Sequence, residues 1–172
     1  SPSPTSYEYL TDFKYLVGTG FGEVTRSLQA VGPVLLPGIA VGGCDAVDFS
    51  GFVAGSIALI ERGGCNFSEK VDHATAAGAA GVLIFNSGVG GDAGILAFDG
   101  TMGDGVFASI PVFALSYGAG LGLYTLVQSG PVTVHMRILE EDVPAAVPEP
   151  GSLALAGLAL AGLALVRRRS PA

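Results

Sequence analysis

The chain has 172 residues, of which 49% are hydrophobic and 13% are charged, and its formal net charge is −7. This length allows one domain of common size. Residues 1–149 carry five basic side chains against all 15 acidic ones, a net charge of −10, and because such a body repels phosphate backbones, the composition argues against a nucleic-acid partner.

The first part of the chain predicts a frayed end followed by short strands. Residues 1–6 are polar and proline-rich and are expected to be disordered. No leader peptide is visible, so we expect a chain that begins after leader cleavage, or a fragment. The β-forming residues of 7–17 predict a strand pair, and the glycines of 18–22 predict a turn between strands. The apolar run 34–41 predicts an edge strand or a bulge.

Two cysteines, Cys44 and Cys65, allow two interpretations. They cannot form a four-ligand zinc site without suitably spaced histidines. They are either a disulfide, which on the chain-entropy model contributes about 3 kcal/mol, or two reduced, buried thiols. A disulfide requires an oxidising compartment. The nearby acids Asp45, Asp48 and Glu61 fit no calcium-loop spacing, and we expect them to form a solvated rim.

The middle of the chain predicts a strand, a helix and a second strand. The apolar runs Ser56–Ile60 and Val82–Phe85 have the length of strands. Between them the apolar stripe of Phe67–Ala80 predicts a helix, and the spacing of Asn66 and Glu69 is that of a capping box at its start. Such a βαβ unit is expected to be parallel and right-handed.

The order of residues in this unit resembles the central motif of the protease-associated (PA) domain. The matching segments are GSIALIERGGCNF at 55–67, Lys70, AAGAAGV at 76–82, Phe85-Asn86, IPVF at 110–113 and 132–138. The resemblance implies an α/β fold, a β/β/α layered sandwich or open β-barrel with flanking helices, over residues 7–139. It also implies a binding or lid module of the kind attached to peptidases and sorting receptors, with Cys44 paired to Cys65.

A glycine-rich stretch follows this motif. Residues 87–105 contain seven glycines and three aspartates, and so long a loop in a compact domain is either functional or disordered. Asp92, Asp99 and Asp104 offer oxygen ligands that suit Ca²⁺, although their spacing matches no known repeat. We interpret the stretch as a candidate binding loop and predict neither a resident metal nor a cofactor.

The last part of the domain predicts a strand, a helix and a final strand. Pro111, at the second position of the run 110–115, favours a strand that starts at a sheet edge. Ser116 is placed to cap a helix that extends to about Gln128, although three glycines weaken it. Residues 132–138 alternate strictly and predict a half-buried strand.

The sequence offers no recognisable catalytic constellation. Asp72 and His73 are adjacent on the predicted helix, so their side chains point about 100° apart and cannot form an orienting pair. Glu69 shares a face with His73, which is typical of a surface contact, and His135 lies on a different element. No serine lies in a GxSxG motif. We therefore expect a protein that is not an enzyme.

The C-terminal segment has three parts after a linker at 140–147. Pro148-Glu149-Pro150 comes first, then an apolar run of 14 residues at 153–166, and then Arg167, Arg168 and Arg169. As a helix this run would measure about 21 Å, which is short of the roughly 30 Å hydrocarbon core of a bilayer. We therefore do not expect a permanent transmembrane anchor. We expect a transient sorting helix that is followed by a basic cytoplasmic stop.

This arrangement resembles the PEP-CTERM sorting signal of Gram-negative bacteria that make extracellular polysaccharide. The resemblance covers residues 148–170 and implies recognition of Pro148-Glu149-Pro150 by an exosortase. It further implies a brief stay in the inner membrane through the C-terminal hydrophobic helix, followed by release or attachment at the cell surface or in the extracellular matrix. We expect a displayed, non-catalytic module that binds a protein, peptide or exopolysaccharide, or alternatively an accessory or remnant part of an exported peptidase.

Overall fold

A computed structural model of the chain describes residues 5–32, 42–90 and 92–142, without the side chains of Asp92 and Ala93. The chain divides into two units, Ser1–Glu140 and Glu141–Ala172, and the fold belongs to the first. The predicted edge strand at 34–41 lies outside the described residues, as do the sorting segment and most of the linker.

Within the described residues, six strands form one sheet that curls into an open half-barrel. The central strands β2 to β5 run parallel, and β1 and β6 pair antiparallel at the two edges, in the order β1-β5-β4-β3-β2-β6. The strands are β1 (Phe13–Tyr15), β2 (Gly22–Ala30), β3 (Ile57–Glu61), β4 (Gly81–Phe85), β5 (Val112–Leu115) and β6 (Thr133–Ile138).

Helices cover both faces of the middle of this sheet. The helices are α1 (Phe67–Ala76), the single turn α2 (Asp92–Ile95) and α3 (Tyr117–Ser129), with short 3₁₀ helices at Ala46–Phe49 and Glu140–Asp142. Val71 and Ala74 of α1 pack in the core with Ile60 and Ile84 on one face. On the other face α3 comes so close to β4 that only the missing side chain of Gly120 leaves room for Phe85.

The predicted βαβ unit is present with nearly the expected bounds. β3 and β4 run parallel, and Ile57 lies opposite Gly81. Glu69 Oε2 accepts a hydrogen bond of 2.9 Å from the backbone N–H of Asn66, as the capping-box spacing predicts. The helix ends at Ala76 rather than Ala80, because Gly78 adopts a φ of +83° that helical residues do not.

Two predictions about the other strands were wrong, and one strand was missed. The expected strand pair in 7–17 reduces to β1, because the chain turns at Leu10, whose φ is +71°. The nine-residue strand β2 was not predicted, since Leu28 is its one fully buried residue and no alternation is visible. β5 does not lie at an edge, because Pro111 precedes the strand and leaves its backbone free to pair with β1 and β4.

The contact between α3 and β4 leads to a stability prediction. Gly120→Ala places a methyl group in the space of the Phe85 side chain, so we expect a loss of about 1–3 kcal/mol in unfolding free energy. The matched variant Gly122→Ala meets no atom within 4 Å and should gain up to about 1 kcal/mol from helix propensity. Urea denaturation of both variants measures the difference, and equal effects would contradict the close packing.

Candidate functional site

A cavity of about 870 Å³ opens on the side of the sheet that α3 covers. Its volume is in the range typical of ligand sites. The cavity is bounded by α3, by β6 with the loop before it, and by the N-terminal residues 5–7 with Phe13. The floor consists of five buried apolar side chains, Leu83, Phe113, Leu115, Leu123 and Met136.

Aromatic contacts hold β1, which contributes Phe13 to the cavity, against β5. The ring centroids of Phe13 and Phe113 lie 5.1 Å apart in an edge-to-face arrangement, and those of Tyr15 and Phe113 lie 5.7 Å apart. Such contacts fix the position of β1 against β5 beyond its three backbone pairs. Tyr7 also lines the cavity, and burial together with the nearby Asp12 raises the pKa of its phenol.

The lining is basic or neutral although the chain is acidic. None of the described residues that line the cavity is an aspartate or a glutamate, and Arg137 is the one arginine among them. Leu126 of α3 lines the cavity while remaining 49% exposed, so it lies at the opening rather than in the floor. The cavity can therefore hold apolar groups of a ligand that is neutral or negatively charged overall.

The disulfide joins the loop after β2 to the start of α1. Cys44 and Cys65 are bonded, with their Cα atoms 5.7 Å apart, which decides between the two interpretations left open by the sequence. The loop is further held by Asp48, whose Oδ2 accepts hydrogen bonds from the backbone N–H groups of Cys44 and Asp45 at 3.0 and 3.2 Å. Asp48 is thus a structural acceptor.

Lys70, one of the residues that match the PA motif, lies on the buried side of α1. Its side chain is fully buried, and Nζ donates to the carbonyl oxygen of Gly42 and lies 3.5 Å from Cys44 Sγ. Burial lowers the pKa of Lys70 to about 8, while the charges of Asp48 and Glu61 act in the opposite direction. Glu61 is itself 1% exposed, so the expectation that it belongs to a solvated rim was wrong.

A second polar group lies where β3 and β4 end. The guanidinium of Arg62 stands 4.6 Å from the ring centroid of Phe98 and 6.0 Å from that of Phe67. Its Nη1 donates to Oδ1 of the fully buried Asn86 at 3.2 Å. Asn86 in turn donates to the carbonyl oxygen of Leu96 at 2.8 Å, so these residues fasten the glycine-rich stretch to the domain.

The glycine-rich stretch is therefore folded against the core. Phe98 and Met102 belong to the hydrophobic core, and the ring of Phe98 stacks on Phe67 at 5.3 Å. Asp99 forms an ion pair of 2.8 Å with Lys14 on β1 and is largely exposed, and Asp104 is exposed. The side chain of Asp92 lies outside the description, so a binding role for the three aspartates stays a prediction.

The histidines lie on separate elements, as the sequence predicted. His73 Nδ1 is 3.3 Å from the carbonyl oxygen of Gly43 and helps to hold the cysteine loop. His135 on β6 lies between two residues of β2, with Nδ1 2.9 Å from Thr25 Oγ1 and Nε2 3.5 Å from Glu23 Oε1. In the described part of the chain, no three histidine, cysteine or acidic side chains gather as a metal ion requires.

The predicted sorting residues cannot be placed in this geometry. Pro148-Glu149-Pro150, the hydrophobic segment and Arg167, Arg168 and Arg169 all lie outside the described residues. Across 5–32, 42–90 and 92–142, no helix is both long and apolar enough to cross a membrane.

Burial of Lys70 predicts a specific pH dependence. The folded-state pKa of Lys70, about 8, lies below its ordinary value of 10.5. Between pH 8 and pH 10.5 the lysine is therefore protonated in the unfolded chain and deprotonated in the folded protein. The resulting penalty is fully present below pH 8 and disappears as the pH rises to 10.5. Relative to Lys70→Met, the wild-type unfolding free energy should therefore rise by up to about 3 kcal/mol across this window.

Denaturation curves of the two proteins, measured at intervals across the window, test this expectation. Mass spectrometry without reductant at each pH confirms that the disulfide stays intact. Parallel stability profiles would show that Lys70 keeps its ordinary pKa in the folded protein.

Comparison with known proteins identifies relatives of this domain. An aminopeptidase of Pseudomonas aeruginosa (strain UCBPP-PA14) is 46% identical over 121 residues, which are 70% of this chain and 22% of that enzyme. The chain thus spans about a fifth of the length of this relative. Among solved structures, an aminopeptidase from Aneurinibacillus sp. strain AM-1 has a TM-score of 0.59 at 26% identity, over 73% of this chain and 27% of that one.

A zinc aminopeptidase from Bacillus subtilis is also similar, with a TM-score of 0.52 at 25% identity over 65% of this chain and 25% of that one. These relatives contradict the prediction that the protein is not an enzyme, since those proteins are named aminopeptidases. The similarity covers the PA portion of the relatives, and it does not extend to showing catalysis by this chain.

Family models match both predicted segments. A PEP-CTERM protein-sorting motif matches residues 146–169, which confirms the second resemblance and implies an exported protein processed by an exosortase. The PA domain model matches residues 30–123, and the curled sheet with its two longer helices, α1 and α3, agrees with the aminopeptidase structures. Because that match covers more than half of its length, the chain belongs to the PA domain family.

Proposed function

We propose that this protein is an exported polypeptide-binding module, which an exosortase delivers to the cell surface or the extracellular matrix, and that its binding site is the cavity beside α3. The observation that carries the proposal is the cavity itself, with its volume of about 870 Å³ and its apolar floor. Transient insertion of the C-terminal hydrophobic helix in the inner membrane is part of the same proposal.

The chemistry of the lining favours a polypeptide over a polysaccharide. Leu83, Phe113 and Leu115 offer apolar surface that suits amino-acid side chains. A sugar polymer would instead leave its hydroxyl groups without hydrogen-bond partners against such a floor, which is unfavourable. The relatives support the same choice, because aminopeptidases act on peptides and the part they share with this chain is the PA portion. We therefore place the module in an exported aminopeptidase system, as part of the enzyme or as its accessory.

The proposed binding site predicts different effects for two leucines on one helix. Leu126 and Leu121 are both exposed on α3, at 49% and 38%, but only Leu126 is among the described lining residues. Leu126→Glu replaces apolar surface at the opening with a hydrated carboxylate and should weaken peptide binding about tenfold or more, because that apolar surface is no longer removed from water when the peptide binds. Leu121→Glu should bind like the wild type.

Fluorescence anisotropy of the exported protein measures this difference. The probes are labelled octapeptides that alternate serine with valine, leucine or phenylalanine, and soluble dextran and alginate serve as competitors. The proposed function would be contradicted if no peptide bound, or if the polysaccharides displaced the bound probe and unlabelled peptide did not.

The sorting motif predicts the C-terminus of the mature protein. After export, mass spectrometry should show a chain that ends near Pro150 and lacks Arg167, Arg168 and Arg169. Replacement of Pro148, Glu149 and Pro150 with alanine should preserve the basic tail, because the recognition motif is lost. Pro144→Ala, a few residues upstream, is the control and should be cleaved normally; an intact wild-type tail at the cell surface would contradict delivery by an exosortase.

A further inference from the structure

We propose that the free edge of β6 receives an extended segment of another polypeptide as an added strand, with alternate side chains of that segment in the cavity. This inference rests on the proposed function and specifies how the ligand is held. β6 is the last strand of the sheet, and in the described part of the chain it pairs with β2 alone.

The register shows which backbone groups of β6 are available. The backbone N–H of Leu28 donates to the carbonyl oxygen of Val132 at 2.9 Å, which makes these two residues a hydrogen-bonded pair of the antiparallel ladder. Hydrogen-bonded and non-hydrogen-bonded pairs alternate. Thr133, His135 and Arg137 therefore form non-hydrogen-bonded pairs with β2. The backbone N–H and C=O groups of these three residues point away from β2, toward the free edge.

The cavity extends along this same edge. Every residue from Val132 to Arg137 lines it. Six residues of strand present about 20 Å of edge, which matches an added segment of about six residues. Since successive side chains of a strand alternate between two sides, one set of the ligand's side chains would face the apolar floor and the other set would face solvent. Backbone hydrogen bonds then give affinity, and the cavity selects alternate side chains.

The side chains of β6 leave this edge accessible. His135 is directed at β2, where Thr25 and Glu23 lie within 2.9 and 3.5 Å of its ring nitrogens. Arg137 is the one arginine among the described lining residues, and none of them is an aspartate or a glutamate. Charge complementarity therefore favours a segment of alternating apolar residues that is neutral or acidic.

A proline substitution tests the inference directly. His135→Pro removes one outward N–H but no hydrogen bond to β2, and proline is tolerated at such positions of edge strands. His135→Ala removes the same side chain and keeps the N–H. With the alternating octapeptides, and with versions that carry an added glutamate or lysine, the proline variant should bind about tenfold more weakly than the alanine variant. The glutamate peptides should bind more tightly than the lysine peptides.

Peptides that are N-methylated at alternate residues provide a measurement on the unmodified exported protein, should the proline variant not fold. Methylation in one of the two registers should abolish binding and methylation in the other should not, because only one set of N–H groups faces the β6 edge. Thermal unfolding of each variant reports its folding.

The outcomes separate this inference from the function on which it rests. Equal binding by the proline and alanine variants, or equal effects of the two methylation registers, would overturn strand addition while leaving peptide binding in place. No peptide binding by the wild type would overturn both. Sedimentation that shows dimers of the wild type and monomers of the proline variant would assign the β6 edge to a second copy of the chain, and would overturn the inference.

Discussion

Burial of β3 and β4 on both faces is the constraint on which the rest of the structure depends. All five residues of each strand are buried, and parallel strands of this kind require a covering layer on both sides. The crossover helix α1 supplies one layer, and α3 supplies the other through the close contact of Gly120 with Phe85. α3 leaves part of its side of the sheet uncovered, and the apolar surface beside it forms the cavity floor.

Local sequence patterns predicted the elements whose signals are local. The βαβ unit follows from two short apolar runs and a capping pair, and α3 begins after Ser116, whose Oγ accepts from the backbone N–H of Ala119 at 3.2 Å. β6 follows from strict alternation. β2 was missed because its partners, β3 and β6, come much later in the chain and only Leu28 is fully buried. Its identity as a strand depends on tertiary pairing.

The chemistry of the site was less predictable than the fold. The burial of Lys70 was not predicted, because helical periodicity cannot show that a cysteine loop brings a carbonyl group to its ammonium. The folding of the glycine-rich stretch against the core was not predictable from local patterns either. It depends on the tertiary contacts of Phe98, whose ring stacks on Phe67 and lies beside the guanidinium of Arg62. The cavity has no motif at all, since it arises from the curvature of the sheet and from the edge position of β6.

An open sheet edge beside an apolar cavity would ordinarily favour pairing between copies of the same protein. One feature of this chain opposes that pairing. Residues 1–149 carry a net charge of −10, so two copies repel each other at long range. A single extended segment with little charge of its own does not meet this obstacle, and it needs only the backbone groups of one edge. The acidic chain can thus leave the β6 edge unpaired in solution and still bind a strand that is less charged than a second copy of itself.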